Sequence, residues 1–182
     1  MSTEVSKYLA YLLRHRPQAA GLVLDGAGWV EVDALLAALA AQGRALTPAQ
    51  LEAVVNAPGK RRFELDGGRI RAAQGHSVAV ELGLHPTEPP TTLYHGTVAR
   101  FLDRILREGL LPRGRTHVHL SPDVATAREV GARRGEPVIL TVDAAAAWRE
   151  GHAFLLAASG VWLTDHVPPR YLSVLTPARA SD

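Results

Sequence analysis

Basic residues occur in three clusters, each close to the end of a predicted helix or strand. An arginine guanidinium can hold a phosphate through two parallel hydrogen bonds, so one anion bound by several clusters would explain them. The alternative is structural, because cations favour the carboxyl end of a helix and basic runs are common in solvated turns. The clusters are Arg14-His15, Lys60-Arg61-Arg62 and Arg133-Arg134.

Two segments containing histidine have the pattern of β-strands that carry polar groups. His117, His119 and Ser121 are spaced by two, which places their side chains on one face of a strand. A His-x-His strand can bind zinc, but the chain has no cysteine and no acidic residue nearby at ligand spacing. We therefore expect no metal. In the segment 94–97, Tyr-His-Gly-Thr, the glycine at a strand end could let the backbone approach a ligand closely.

The composition is typical of a globular protein and excludes several classes. The chain has 182 residues, 47% of them hydrophobic, and a formal net charge of +2. Its only lysines are Lys7 and Lys60, an arginine bias that a GC-rich genome would also produce. The apolar runs are too short to span a bilayer, the N-terminus has no secretory signal, and disulfides are excluded. We expect a cytoplasmic monomer that does not bind membranes.

Residues 1–80 are predicted to form three helices followed by a β-hairpin. Apolar residues recur at helical spacing from Val5 to Leu13, and Pro17 ends this helix soon after the first basic cluster. A second helix is predicted over 34–42, capped by Asp33, and a capping box at Thr47 opens a third helix that reaches about residue 56. The segments 62–65 and 69–72 flank an Asp-Gly-Gly turn. This is the element order of a winged helix.

The second half of the chain has a different character and predicts a second domain. Residues 81–91 contain three prolines and are predicted to be a linker. Within 92–176, strands are predicted at 93–95, 116–120, 137–142, 161–163 and 171–175. A helix is predicted over 98–108, and Ser121-Pro122 is expected to cap another. The order lacks regular βαβ alternation, so the class is α+β. Residues 177–182 are predicted to be a disordered tail.

Seven segments, in order, make the chain resemble the RNA 2′-phosphotransferase (KptA) family over nearly its whole length. The first three lie in the predicted N-terminal domain and the last four in the predicted C-terminal domain. They are Ser6-Lys7 with Leu12-Leu13-Arg14-His15; 60–65, KRRFEL; 70–77, IRAAQGHS; 94–97, YHGT; 117–121, HVHLS; 131–135, GARRG; and 160–164, GVWLT.

The resemblance implies a fold and a reaction. It implies an N-terminal winged-helix lobe followed by a C-terminal ADP-ribosyltransferase-like lobe. It also implies an enzyme that uses NAD as co-substrate, without metal, to remove an internal 2′-phosphate from RNA. In the first step the phosphate attacks the nicotinamide-bearing ribose carbon and expels nicotinamide. In the second, the neighbouring ribose hydroxyl attacks the phosphate, which gives 2′-OH RNA and ADP-ribose 1″,2″-cyclic phosphate.

The resemblance also implies roles for individual residues. The catalytic set around the phosphate is Arg14, His15, Arg62 and Arg133. Lys60, Gln74 and His76 are further candidates for contact with the substrate phosphate, and Lys60 is assigned to the second step. The NAD site is His95, Gly96, Thr97, His119 and Ser121. A histidine titrates near neutral pH, so His15 could donate a proton to the departing RNA oxygen.

One position departs from the pattern of many ADP-ribosyltransferases. Their third motif supplies a glutamate, whereas the corresponding stretch here places Val161 near that position. A phosphate nucleophile is already ionised, so it needs no carboxylate base, and a second negative charge would repel it. Two other functions stay open: an ADP-ribosyltransferase that modifies nucleic-acid phosphate ends and stops after the first step, and a non-catalytic winged-helix module that binds nucleic acid.

Overall fold

The computed structural model describes residues 2–59, 61–78, 80 and 82–175. It is a mixed α+β protein with three small antiparallel sheets, in agreement with the predicted class. The chain forms two compact units. The first contains Met1–Leu84 with Gly114–Thr116 and Ala157–Gly160, and the second contains His85–Arg113, His117–Leu156 and the chain from Val161 onward. No local pattern in the sequence indicates that the two short later segments pack with the first unit.

The first unit has three helices and one three-stranded sheet. The strand order is β1-β3-β2, and both pairs are antiparallel. Its core is formed mainly by leucines, including Leu9, Leu12 and Leu35, together with Phe63 and Ile70. The elements are α1 (Ser2–Arg14), a 3-10 helix (Pro17–Ala20), β1 (Val30–Glu31), α2 (Val32–Ala41), α3 (Pro48–Val55), β2 (Phe63–Asp66) and β3 (Arg69–Ala72).

Local sequence signals explain most of these limits. At α3 the Thr47 hydroxyl accepts from the Gln50 backbone at 3.1 Å, and the Gln50 side chain accepts from the Thr47 N–H at 2.9 Å, which confirms the capping box. Gly67 and Gly68 have φ of 55° and 79° between β2 and β3, the sign that a tight two-residue hairpin turn requires. The predicted cap at Asp33 is wrong, because α2 begins at Val32.

The second unit contains two three-stranded antiparallel sheets, ordered β4-β6-β9 and β5-β8-β7. Buried Leu93, Leu140 and Phe154 belong to its core. The predicted strands and helices are all found, but α6 and the two-residue β7 were not predicted. The elements are β4 (Thr92–Val98), α4 (Ala99–Glu108), β5 (Val118–Leu120), α5 (Val124–Ala132), β6 (Pro137–Asp143), α6 (Ala144–Arg149), β7 (Leu155–Leu156), β8 (Trp162–Thr164), a 3-10 helix (Pro169–Tyr171) and β9 (Leu172–Val174).

Two glycines let α5 lie directly against β4. A Cβ atom at Gly96 would stand 1.7 Å from the carbonyl oxygen of Ala127 in α5, and one at Gly131 would stand 2.9 Å from the Thr97 oxygen in β4. The sequence suggested that Gly96 admits a ligand, whereas its observed close neighbour is the backbone of a helix. The cap of α5 also differs from the prediction. It is Asp123, whose carboxylate accepts from the Thr126 N–H at 2.7 Å, and not Ser121.

Candidate active site

The carboxyl end of α1 holds Arg14 against a glycine. Leu9, Leu12 and Leu13 are fully buried on one side of α1, which fixes the orientation of the helix end. The backbone N–H groups of Ser77 and Val78 donate to the Arg14 carbonyl oxygen at 2.9 and 3.4 Å. A Cβ at Gly75 would lie 3.4 Å from three atoms of the Arg14 side chain. The Arg14 side chain therefore lies next to Gly75, where the backbone φ of 89° favours glycine.

His15 is positioned by a residue to which the sequence assigned no role. Its Nδ1 lies 2.9 Å from the hydroxyl oxygen of Ser77. The pKa of His15 is lowered from its ordinary value, first by burial and then by the positive charges of Arg14 and Arg115. The imidazole is therefore mainly neutral at pH 7. A nearby anion would offset the charge of the two neighbouring guanidinium groups and favour the protonated form of His15.

A bound phosphate should reverse this shift, and the change is measurable. Negative charge beside His15 stabilises the imidazolium ion, so we expect the pKa of His15 to rise when adenosine 2′-monophosphate is added. The probe is the pH titration of the His15 ring proton by NMR, assigned with His15→Asn. A titration curve that does not move at saturating nucleotide would place the phosphate elsewhere.

Arg62, Gln74 and His76 lie in the same unit as Arg14. Arg62 donates to the Ser6 hydroxyl on α1 at 3.3 Å, and its carbonyl oxygen accepts from the Ala73 N–H at 2.9 Å. Gln74 and His76 are buried, with 7% and 0% of their surface exposed. The side-chain oxygen of Gln74 has no hydrogen-bond partner among the residues that the structure describes. Burial without a partner is costly, so Gln74 is a candidate for contact with a ligand.

The other basic residues near this group differ in their surroundings. Arg71 is buried and committed to structure, because it donates to Glu64 at 2.6 Å and to the carbonyl oxygens of Ala27 and Leu82 at 3.2 and 3.1 Å. Arg115 belongs to the 114–116 segment that packs with the first unit and acts electrostatically on His15. Lys60, proposed for the second step, lies outside the described residues.

In the second unit, two of the predicted NAD-site histidines meet where β4 and β5 adjoin. Tyr94 and Ser121 exchange backbone hydrogen bonds at 2.9 and 2.8 Å. His95 Nδ1 lies 3.0 Å from the carbonyl oxygen of His119. Because a carbonyl only accepts, Nδ1 carries the proton and Nε2 is left as an acceptor. The pKa of His95 is lowered, chiefly by burial, with a smaller effect from Arg134, and the bond to His119 opposes this only in part. His95 is therefore a neutral acceptor at pH 7.

The β5 strand has the alternation that the sequence predicts. Val118 and Leu120 are buried and His119 between them is half-buried. Ser121 and Thr97 are also buried, at 8% and 5% exposure. The structure therefore places His95 on β4, His119 on β5, and Ser121 directly after β5, where it pairs with Tyr94. Gly96 and Thr97 continue β4 towards its contact with α5.

Arg133 belongs to the second unit and is exposed. It is the C-cap residue of α5, with helical backbone angles. Arg14, His15, Arg62, Gln74 and His76 all belong to the first unit. The predicted catalytic residues are thus divided between two compact units of the chain.

Comparison with known proteins identifies the family. The model of the RNA 2′-phosphotransferase, Tpt1/KptA family matches residues 1–166. The chain belongs to this family. The resemblance drawn from the seven sequence segments is therefore confirmed. The chain is an RNA 2′-phosphotransferase, and its reaction is the NAD-dependent reaction of the family.

Curated relatives of the Tpt1/KptA family match the chain along its length. The chain is 57% identical to a probable RNA 2′-phosphotransferase of Streptomyces coelicolor, with 97% of each chain covered. It is 55% identical to one of Agrobacterium fabrum, with 100% of this chain and 99% of the relative covered. A third relative, from Burkholderia lata, is 53% identical, with 98% and 94% covered.

Two expected absences bear on the Tpt1/KptA reaction and its partners. Within the described residues, histidines and carboxylates nowhere form a group of three or more that could hold a metal ion. Metal independence stays a prediction, which dialysis against a chelator would test. No helix in the same part of the chain is long and apolar enough to cross a membrane.

Proposed function

We propose that the first unit is the winged-helix lobe and holds the 2′-phosphate of RNA, and that the second is the ADP-ribosyltransferase-like lobe and holds NAD. The observation that carries the first half is the packing of Arg14 on Gly75 beside the His15–Ser77 pair. The 2′-phosphate carries nearly two negative charges at neutral pH. The positive charges of Arg14 and Arg115 beside His15 would balance the two negative charges of the phosphate.

The NAD half of the proposal is supported by the chemistry of the β4–β5 junction. The nicotinamide ring of NAD is cationic and its ribose and amide groups donate hydrogen bonds. A neutral His95 with a free Nε2 acceptor does not repel that cation. Buried Thr97 on β4 and Ser121 directly after β5 add hydroxyl groups close by. We propose that these residues line the NAD site together with His119 and the backbone of Gly96.

In the proposed first step, a 2′-phosphate oxygen forms a bond to the ribose carbon that bears nicotinamide. The bond from that carbon to nitrogen breaks, and nicotinamide leaves with the electron pair. The phosphate is already an anion, so this step needs positioning more than a base. We propose that Arg14 and Arg62 orient it. Val161 in place of a glutamate agrees with a nucleophile that needs no deprotonation.

In the proposed second step, the oxygen of the neighbouring ribose hydroxyl forms a bond to phosphorus and releases its proton to solvent, while the bond from phosphorus to the RNA 2′-oxygen breaks. The departing oxygen needs a proton, and we propose that His15 supplies it once the phosphate has raised the pKa of His15. Negative charge increases on the non-bridging oxygens, which guanidinium groups stabilise. We propose that Arg133 and Lys60 act chiefly here.

The test of the proposed reaction is a product assay. The protein is incubated with NAD and a short RNA bearing one internal 2′-phosphate, and the products are resolved by mass. We expect nicotinamide, 2′-OH RNA and ADP-ribose 1″,2″-cyclic phosphate. A stable ADP-ribosylated RNA as final product would favour the enzyme that stops after one step. No nicotinamide release would favour the non-catalytic module.

Replacement of His95 by alanine tests the division of labour between the units. The variant should raise the KM for NAD while the Kd for 2′-phosphorylated RNA changes little, because the proposed phosphate ligands of the first unit are untouched. Because removal of one hydrogen bond to a buried group costs about 1–2 kcal/mol, we expect the KM for NAD to rise roughly tenfold. His85→Ala, an exposed histidine of the same unit, is the matched control. Equal weakening of both substrates by His95→Ala would contradict the division.

A further inference from the structure

Three arginine side chains of the second unit surround the ring of Phe101. Their Cζ atoms lie 4.9 Å (Arg100), 5.4 Å (Arg104) and 5.9 Å (Arg134) from the ring centroid. Arg100 and Arg104 are one turn apart on α4, and Arg134 follows the end of α5. Each guanidinium can be attracted to the aromatic ring, but their like charges also repel one another.

These three arginines differ from several other arginines of the protein in their charged neighbours. Arg71, Arg113 and Arg170 each pair with a glutamate. Among the residues that the structure describes, no carboxylate forms an ion pair with a member of the Phe101 cluster. The Nε atom of Arg104 is buried and has no hydrogen-bond partner in the same part of the chain. A buried donor of this kind requires an acceptor.

Helix stability does not account for the cluster. Arg100 lies in the first turn of α4, where the helix dipole disfavours a positive charge. That turn contains no acidic residue, and the helix begins without a side-chain cap. The position of Arg100 therefore works against the helix, and a bound anion would offset both its unfavourable charge and the repulsion among the three guanidinium groups.

We propose that Arg100, Arg104 and Arg134 form a second anion site, which binds a phosphodiester or diphosphate group of a substrate. Guanidinium groups are well matched to this chemistry because they bind two oxygens at once. The family reaction offers two sources of the group: a phosphodiester of the RNA chain next to the modified nucleotide, and the diphosphate of NAD. The proposal uses none of the residues assigned above to the 2′-phosphate or to NAD.

The test compares Arg100→Gln/Arg104→Gln with Arg107→Gln. Arg107 is an exposed arginine on the same helix and is not among the side chains around Phe101, so the control removes a like charge without touching the cluster. Binding is measured without turnover, as the Kd for NAD and the Kd for 2′-phosphorylated RNAs with short and long flanks. Failure of this site is then distinguishable from failure of the proposed chemistry.

The two sources give different results. If the cluster binds RNA, the Kd for long RNA rises about tenfold and that for short RNA changes little. The slope of log Kd against log salt also falls by about 0.7 for each RNA phosphate that the variant no longer neutralises. If the cluster binds the NAD diphosphate, the Kd for NAD rises about tenfold. The Kd values for the short and the long RNA then change little.

The proposal is overturned if both dissociation constants of the double variant stay within about twofold of those of Arg107→Gln. Arg100→Gln alone keeps the test decisive if the double variant is unstable, because Arg100 is exposed and the buried Nε of Arg104 is left in place. It should weaken the same ligand to a smaller extent. An unchanged Arg100→Gln in every binding measurement, with a double variant that does not fold, would also count against the site.

Discussion

Replacement of Arg133 by alanine should make RNA with a 2′-phospho-ADP-ribose group accumulate during turnover. In the first step the phosphate is a nucleophile and the leaving group is already cationic, so positioning suffices. In the second step phosphorus itself is attacked, and charge grows on its non-bridging oxygens. Loss of one guanidinium there removes about 3 kcal/mol of transition-state stabilisation, or roughly two orders of magnitude in rate.

The measurement is a single-turnover time course in which nicotinamide, the ADP-ribosylated RNA and the cyclic phosphate are quantified separately. For Arg133→Ala, nicotinamide release should stay close to the rate of the unaltered enzyme while cyclic phosphate appears about a hundredfold more slowly. Arg128→Ala is the matched control, since Arg128 is an exposed arginine of the same helix. If nicotinamide release is itself blocked by Arg133→Ala, then Arg133 is a binding residue and its assignment to the second step is wrong.

Local rules predict much of the fold. The capping box at Thr47, the Gly67-Gly68 turn and the end of α1 before Pro17 all depend on residues within a few positions of each other. Such features can be predicted because the residues that form them are neighbours in the sequence and do not depend on tertiary contacts. The short β7 and α6 were missed because two residues of strand and six of helix carry too little periodicity.

The sequence offers candidate site residues, which stay a prediction, but it does not indicate the contacts that support them in the structure. Ser77 contacts His15 across 62 positions of sequence, and Arg115 reaches the first unit from a segment in the later chain. No short spacing encodes contacts of that range. The shifted pKa of His15 likewise follows from burial and from two cations that only the folded chain brings together. The proposed proton-donor role of His15 therefore includes a condition, the bound phosphate, that the sequence did not indicate.

The sequence singled out Gly96, but the structure gives a different physical reason for a glycine at this position. At a strand end beside a histidine, a glycine suggests space for a ligand. In the structure the space is filled by α5, whose Ala127 carbonyl oxygen lies where a side chain would begin. Since Gly131 meets Thr97 in the same contact, the two glycines form one packing interface between helix and strand.

Replacement of Gly96 by alanine should therefore destabilise the second unit severely. The new Cβ would stand 1.7 Å from a backbone oxygen, which no rotamer change can relieve, so α5 must move away from β4. Overpacking of a rigid contact costs about 3 kcal/mol or more, which corresponds to over a hundredfold in the folding equilibrium and to a thermal midpoint lower by roughly 6–12 °C.

A graded series makes this prediction specific. Gly131→Ala should cost less, about 1–2 kcal/mol, because its closest contact would be 2.9 Å and alanine favours the helix. Gly26→Ala is the control, since a Cβ there meets nothing within 4 Å and its φ lies outside the left-handed region that disfavours side chains. It should be neutral or more stable by up to about 1 kcal/mol. Thermal unfolding followed by circular dichroism gives the order. A Gly96→Ala protein as stable as Gly26→Ala would mean that α5 does not pack on β4 at this distance, and Gly96 would again be explained best by a ligand.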